Sequence, residues 1–214
     1  MSWGVSALVA LAAAGAAAAL SGWLRSVAQT ESVWYRRRLH IPLALAAGLG
    51  AARLGSTWVQ VLCFTVLGVA AALLFTIDLG EERLPDVILL PMYPVLFVSL
   101  ALDAALGNAW PAFFRSLIAA AVLLVAFVLL SLMGPLYFGD VKLAGLLGGF
   151  LGWLGWSQVA LGFFAGFALQ AIAGIIILLT GRGNRESELP FGPALIAGAA
   201  IGAGCGAMVF PGLG

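Results

Sequence analysis

The sequence predicts an all-α, polytopic membrane protein with about eight transmembrane helices. Three observations predict it. Hydrophobic residues make up 63% of the 214 and charged residues 9%, whereas a soluble globular chain is about half apolar and about a quarter charged. The mean hydropathy is +1.12. The apolar residues come in continuous runs of about 20, the length a helix needs to cross roughly 30 Å of hydrocarbon. Only helices and closed barrels satisfy their backbone groups in lipid, and the runs lack the two-residue alternation of a barrel strand. The expected organisation is one integral membrane domain over residues 1–214. The net charge of +1 says little; the placement of the charges says more.

The first expected span, from about Ser2 to Leu24, is Ala-rich. It lacks a basic n-region and is longer than the apolar core of a signal peptide, so it reads as a retained helix. The polar loop of residues 25–38 carries Arg25, Arg36, Arg37 and Arg38. The second span is Leu39 to Leu54, with Pro42 in its first turn, where a missing N–H costs little. The third is Thr57 to Ile77, and the polar loop Asp78 to Asp86 follows it. The fourth is Val87 to Leu106, and Pro91 and Pro94 predict a kink or irregular turns near its start. The fifth is Pro111 to Met133. The sixth starts at or just after Asp140 and runs to Gly155. The seventh is Ser157 to Thr180, and the eighth, Phe191 to Phe210, follows the loop of residues 181–189. Glycines at four-residue spacing (Gly145/Gly149, Gly148/Gly152, Gly162/Gly166, Gly198/Gly202/Gly206) predict close helix packing. No internal repeat is evident, which weighs against a transporter built from inverted halves.

Basic residues set topology. In an eight-span chain, Arg25, Arg36, Arg37, Arg38, Arg83, Lys142, Arg182 and Arg185 share one side, and Arg53 and Arg115 the other. The side with eight of the ten is the expected cytoplasmic one, and it carries both Asp78 and Asp140. Each of these acids stands where an apolar run meets a short polar stretch. Ionisable groups at such a depth are costly and serve function by default. Two carboxylates brought together cannot both ionise easily, so one keeps a proton. The pair then offers a base for water and an acid for a peptide carbonyl. Closeness of the two is an assumption at this point, because spacing alone does not show it.

The remaining polar residues suggest lesser roles. Glu81 and Glu82, with Asp78 and Asp86, outnumber Arg83 in their loop, a surplus that would attract a basic peptide. Lys142 reads either as a site residue or as a positive anchor. Arg36 to Arg38 read as topogenic, within reach of anionic lipid and too short for nucleic acid. Asp103 is expected to cap the loop near Asn108. Trp110, Trp153 and Trp156 read as interfacial, and Cys63 and Cys205 as small buried hydrophobes. His40 has no Cys or second His beside it, so no metal site is expected.

Three stretches then carry a resemblance. Phe138-Gly139-Asp140-Val141-Lys142-Leu143 resembles the GxGD signature of the type IV prepilin peptidases, a family of membrane aspartic proteases. Asp78 with Arg83, Leu84, Pro85 and Asp86, followed by Leu90-Pro91, resembles that family's first aspartate region. Leu189-Pro190-Phe191-Gly192-Pro193-Ala194 resembles its third motif. The resemblance covers about Val66 to the C-terminus. It implies an endopeptidase of the bacterial cytoplasmic membrane with its site facing the cytoplasm. Its substrates would be type IV pilin-like precursors, cut between a basic leader and the apolar helix, commonly after a glycine. Asp78 and Asp140 would be the catalytic pair. Gly139, Lys142, Arg83, Pro85, Asp86, Pro190, Phe191, Gly192 and Pro193 would bind substrate or shape the site. Two departures stand out: Tyr137 occupies the first glycine position of GxGD, and the loop of residues 25–38 lacks the paired CxxC insert, so no zinc is expected. S-adenosylmethionine would serve only if an N-methyltransferase activity accompanies the peptidase. The rival readings are a small ion- or proton-coupled transporter using the two aspartates, and an inactive family member acting in pilus or secretion assembly.

Overall fold

The computed structural model describes residues 2–29, 32–134, 136–180 and 189–213, and it is helical, with no strand among the described residues. The elements are α1 (Trp3–Ala19), α2 (Ser21–Val27), α3 (Val33–Arg36), α4 (His40–Leu54), α5 (Trp58–Glu81), α6 (Asp86–Gly107), α7 (Trp110–Met133), α8 (Phe138–Leu154), α9 (Trp156–Thr180) and α10 (Gly192–Val209), closed by a 3₁₀ turn (Pro211–Leu213). Helix ends follow local chemistry. Thr57 caps α5 by accepting from the Gln60 N–H at 3.2 Å, as N-cap hydroxyls do. Gly155, at φ 152°, makes the sharp step from α8 to α9 in a backbone region other residues avoid.

Five helices, α5, α6, α7, α9 and α10, are long and apolar enough to cross a membrane, and the pair α1–α2, bent by 47°, makes a sixth. The expected count of eight is not confirmed by this measure among the described residues. The second and sixth expected spans fall short: α4 has 15 residues and α8 has 17, about 22 Å and about 26 Å at 1.5 Å per residue. The structure has a physical account of α8. Most of its side chains are buried by other helices, so little of it needs matching to lipid. Helix α5 is also enclosed: 61% of its apolar window is buried, against 22% for α7 and α9, which places α5 in the middle of the molecule.

Glycine sets these approaches. A Cβ on Gly152 would stand 2.6 Å from Ala119 Cβ and 3.0 Å from Ser116 Cα, and one on Gly148 3.0 Å from Ala119 O. Helix α8 therefore lies backbone-close on α7. Ser116 Oγ donates to Gly149 O at 2.6 Å, and Arg115 donates to Gly152 O and Trp153 O at 2.7 and 2.8 Å. Arg115 thus satisfies the end carbonyls of α8 that have no partner within the helix. On the other side, Gly198 and Gly202 of α10 meet Gly166 and Gly162 of α9 at distances where any Cβ would collide. The expected glycine packing is present.

Several boundaries and placements differ from expectation. Helix α5 runs on to Glu81, so Asp78 is a residue of its last turn and not of a loop. Helix α8 begins at Phe138, two residues before Asp140. Helix α6 begins at Asp86, one residue before the expected start, and both Pro91 and Pro94 lie inside it. Asp103 does not cap the chain near Asn108. It is buried and accepts from Thr57 Oγ1 and from Gln60 Nε2, the latter at 2.7 Å. A buried carboxylate needs such donors, and the start of α5 supplies them. Trp153 is buried, unlike the half-exposed Trp110 and Trp156, because glycine-rich α8 is drawn inside the bundle. Cys63 is buried but Cys205 is exposed. His40 is buried, with Nε2 2.9 Å from Ser21 Oγ. Arg182 and Arg185 lie outside the described residues.

Candidate active site

One helix end and two helix starts build the site. Asp78 stands in the last turn of α5, Asp140 in the first turn of α8, and Gly192 opens α10. All three ends lie together, so the backbone groups left unpaired at helix termini converge there. Asp78 is 3% exposed and Asp140 5%. Both line one cavity of about 230 Å³, and they are near enough for the charge of Asp140 to act on Asp78. The assumed closeness of the two acids is therefore a feature of the fold.

Asp78 is held from two sides. Its carbonyl accepts the Glu82 N–H at 2.9 Å, which closes α5 with Glu82 in the left-handed conformation at φ 52°. Its Oδ2 accepts the Gly192 N–H at 3.0 Å. A Cβ on Gly192 would stand 2.5 Å from that oxygen, so this amide reaches the acid only from a residue without a side chain. Pro193 sits at the start of α10, where its missing N–H costs nothing. Phe191 is buried, its ring centroid 5.3 Å from Phe167 and 6.1 Å from Phe127. The Pro-Phe-Gly-Pro run thus aims one amide at one carboxylate, with an aromatic anchor on one flank and a helix start on the other.

The other expected site residues divide into two groups. Gly139, Arg83, Pro190 and Phe191 line the cavity with the acids. A Cβ on Gly139 would meet Leu84 Cβ at 3.0 Å, so the missing side chain lets the start of α8 lie close to Leu84. Lys142, Asp86 and Pro85 lie off the cavity. Lys142 Nζ bonds both Asp86 oxygens at 2.8 and 2.7 Å, a half-exposed pair tying α8 to α6. Pro85 is buried and precedes the first residue of α6. Glu81 is not a free acid awaiting a basic peptide. Its Oε1 accepts the Gln29 N–H at 2.7 Å and its Oε2 the Arg83 Nε at 2.6 Å, with a side chain only 3% exposed. Arg83 also donates to Val27 O at 2.6 Å. This clamp fastens the first connecting loop beside Asp78.

Sequence reasoning missed Phe138 and Leu84 as cavity walls and Tyr93 as a support. The Tyr93 hydroxyl donates to Lys142 O at 2.6 Å, and the space it fills is the one beside Gly145. A tyrosine within an apolar run gives no signal beyond its hydroxyl, which needs a partner when buried.

A sequence model described as the type IV leader peptidase family matches residues 65–179, more than half of the chain. The chain belongs to this family. The matched stretch of this leader peptidase family member runs from α5 to α9 and contains both Asp78 and Asp140; the Gly192 amide lies beyond it. Two relatives are named prepilin leader peptidase/N-methyltransferase. The one from Burkholderia pseudomallei is 36% identical over 170 residues, covering 73% of this chain and 50% of its own. The one from Aeromonas hydrophila is 33% identical over 162 residues, covering 74% and 51%. The chain spans about half the length of these curated relatives. No solved structure gives a significant match.

Proposed function

We propose that this chain is an aspartic endopeptidase of the bacterial cytoplasmic membrane, cleaving the basic leader from type IV pilin-like precursors with Asp78 and Asp140. The observation that carries the reading is the pair itself: two buried carboxylates from separate helices facing one cavity, one of them seated on a backbone amide. Family membership supports peptide hydrolysis as the reaction. The excess of basic residues near the acid-bearing helix ends supports a cytoplasmic site. The cavity walls, polar at the aspartates and apolar at Leu84, Phe138 and Phe191, suit a substrate whose polar leader gives way to an apolar helix.

Two carboxylates this close share one proton. The ionised one takes a proton from a water molecule as its oxygen attacks the scissile carbonyl carbon. The protonated one gives its proton to the carbonyl oxygen, so no full oxyanion builds up in a water-poor cavity. The tetrahedral diol then breaks its C–N bond. The leaving nitrogen takes the proton held by the first aspartate, and a diol hydroxyl returns one to the second. The Gly192 N–H fixes the orientation of Asp78 through this cycle.

The test is cleavage of a precursor bearing a basic leader, a glycine and an apolar helix, co-expressed with the chain and read by mass spectrometry. Cutting after the glycine is expected, and loss of it, by at least about a thousandfold, in both Asp78→Asn and Asp140→Asn. The same spectrum shows any added methyl group on the new N-terminus. A folded wild type that never cuts, or variants that cut normally, sinks the assignment.

A further inference from the structure

Nearly every charge among the described residues around the cavity mouth is already engaged. Glu81 is bonded by Gln29 and Arg83. Arg83 points at Val27 O and Glu81. Asp86 is held by Lys142, and Asp78 by the Gly192 amide. Glu82 differs. It is exposed and lines the cavity beside the two aspartates, and its side chain has no hydrogen-bond or ion-pair partner among the described residues. Its charge reaches Asp78.

Local folding preferences do not account for a glutamate there. Position 82 closes α5 at φ 52°, a conformation that favours glycine and strains other residues. It also puts a carboxylate at the negative end of the helix dipole, where a cation is the stabilising choice. A residue that opposes both preferences at the rim of a reactive site points to function.

We propose that Glu82 is the specificity residue of this site, taking a lysine or arginine side chain of the peptide substrate close to the scissile bond. The proposal rests on the peptidase reading above. With Arg83 turned to the first loop and Lys142 bound to Asp86, the described residues of the mouth present net negative charge, and a substrate cation is what complements it. A cation docked on Glu82 also offsets a negative charge beside Asp78. Rim charges of this kind act through encounter and substrate binding, so the effect belongs in KM more than in kcat.

The experiment compares three precursors that differ only in leader charge, with lysine, glutamine or glutamate beside the cut. Wild type, Glu82→Gln and Glu82→Lys are assayed on each in detergent micelles. The expected wild-type order is lysine, glutamine, glutamate. In Glu82→Gln the preference for lysine over glutamine falls by roughly threefold to tenfold, as loss of a partly exposed ion pair implies. In Glu82→Lys the order reverses, and its cleavage of the glutamate precursor proves that the variant is folded. Raised salt narrows the wild-type preference and leaves that of Glu82→Gln unmoved. An unchanged preference in both variants, with cutting intact, overturns the role of Glu82 and leaves the peptidase reading standing. Absence of cutting by the wild type on every precursor overturns the peptidase reading, and this proposal with it.

Discussion

At the scale of single residues, the site depends on an amide that only glycine can deliver. Gly192→Ala would drive a methyl group against Asp78 Oδ2, at 2.5 Å before any relaxation. Either the carboxylate swings away or α10 backs off. A displacement of this size costs about a hundredfold in rate when a reacting group is involved. The expected outcome is a kcat lower by about that factor, with a melting temperature that falls far less. A wild-type rate in Gly192→Ala would mean that the amide is dispensable. The shared proton makes a second expectation. At low pH both aspartates are protonated and no base remains; at high pH both are ionised and no acid remains. Cleavage of a precursor with no titratable leader group should therefore give a bell-shaped profile, whose two limbs belong to the pair and not to either residue. A profile that only rises with pH would point to a single base.

At the scale of elements, α8 carries Asp140 and is positioned by three contacts from two helices: the glycine approaches to α7, the Arg115 cap from the same helix, and the link from Tyr93 of α6 to Lys142 O. Gly152→Ala adds a methyl group 2.6 Å from Ala119 Cβ, and overpacking of this kind costs about 1–3 kcal/mol. Ala119→Gly removes the opposing atom and should restore part of the loss. The measurement is thermal unfolding of both single variants and the double variant in one detergent. Simple additivity would deny the contact. The helices themselves were legible from apolar run length, and their packing from glycine spacing. Their ends were not. Asp78, Leu79, Gly80 and Glu81 look like the start of a polar loop, but the last turn of α5 is closed by the Glu82 amide and lies under other helices, where composition has little say. The depth of Trp153 was hidden for a related reason. A tryptophan near an apolar end looks interfacial unless the burial of its whole helix is known.

At the scale of the whole molecule, the sequence displayed the two aspartates but not their meeting, because residues 78 and 140 are joined only through the packing of α5 and α8. The partner of Asp78 is farther still, 114 residues along the chain, and its motif suggested a helix start without naming the amide. Glu81 shows the opposite error: counted as surplus charge, it is consumed by Arg83 and Gln29. Orientation makes a further expectation. In a Cys63→Ala, Cys205→Ala background, a membrane-impermeant maleimide should label Asn108→Cys in intact spheroplasts, and Glu82→Cys only after permeabilisation. The reverse pattern would put the cavity on the outer face.

The stretch shared with the family, residues 65–179, holds both acids. The groups that fix their surroundings include the Gly192 amide on one flank and the Val27 carbonyl and Gln29 amide on the other. The proposed catalytic pair is thus not a portable cassette. Transplanted between foreign flanks, the block would arrive with both carboxylates and without their supports, so inheritance of the proposed activity would require that the flanks travel with it.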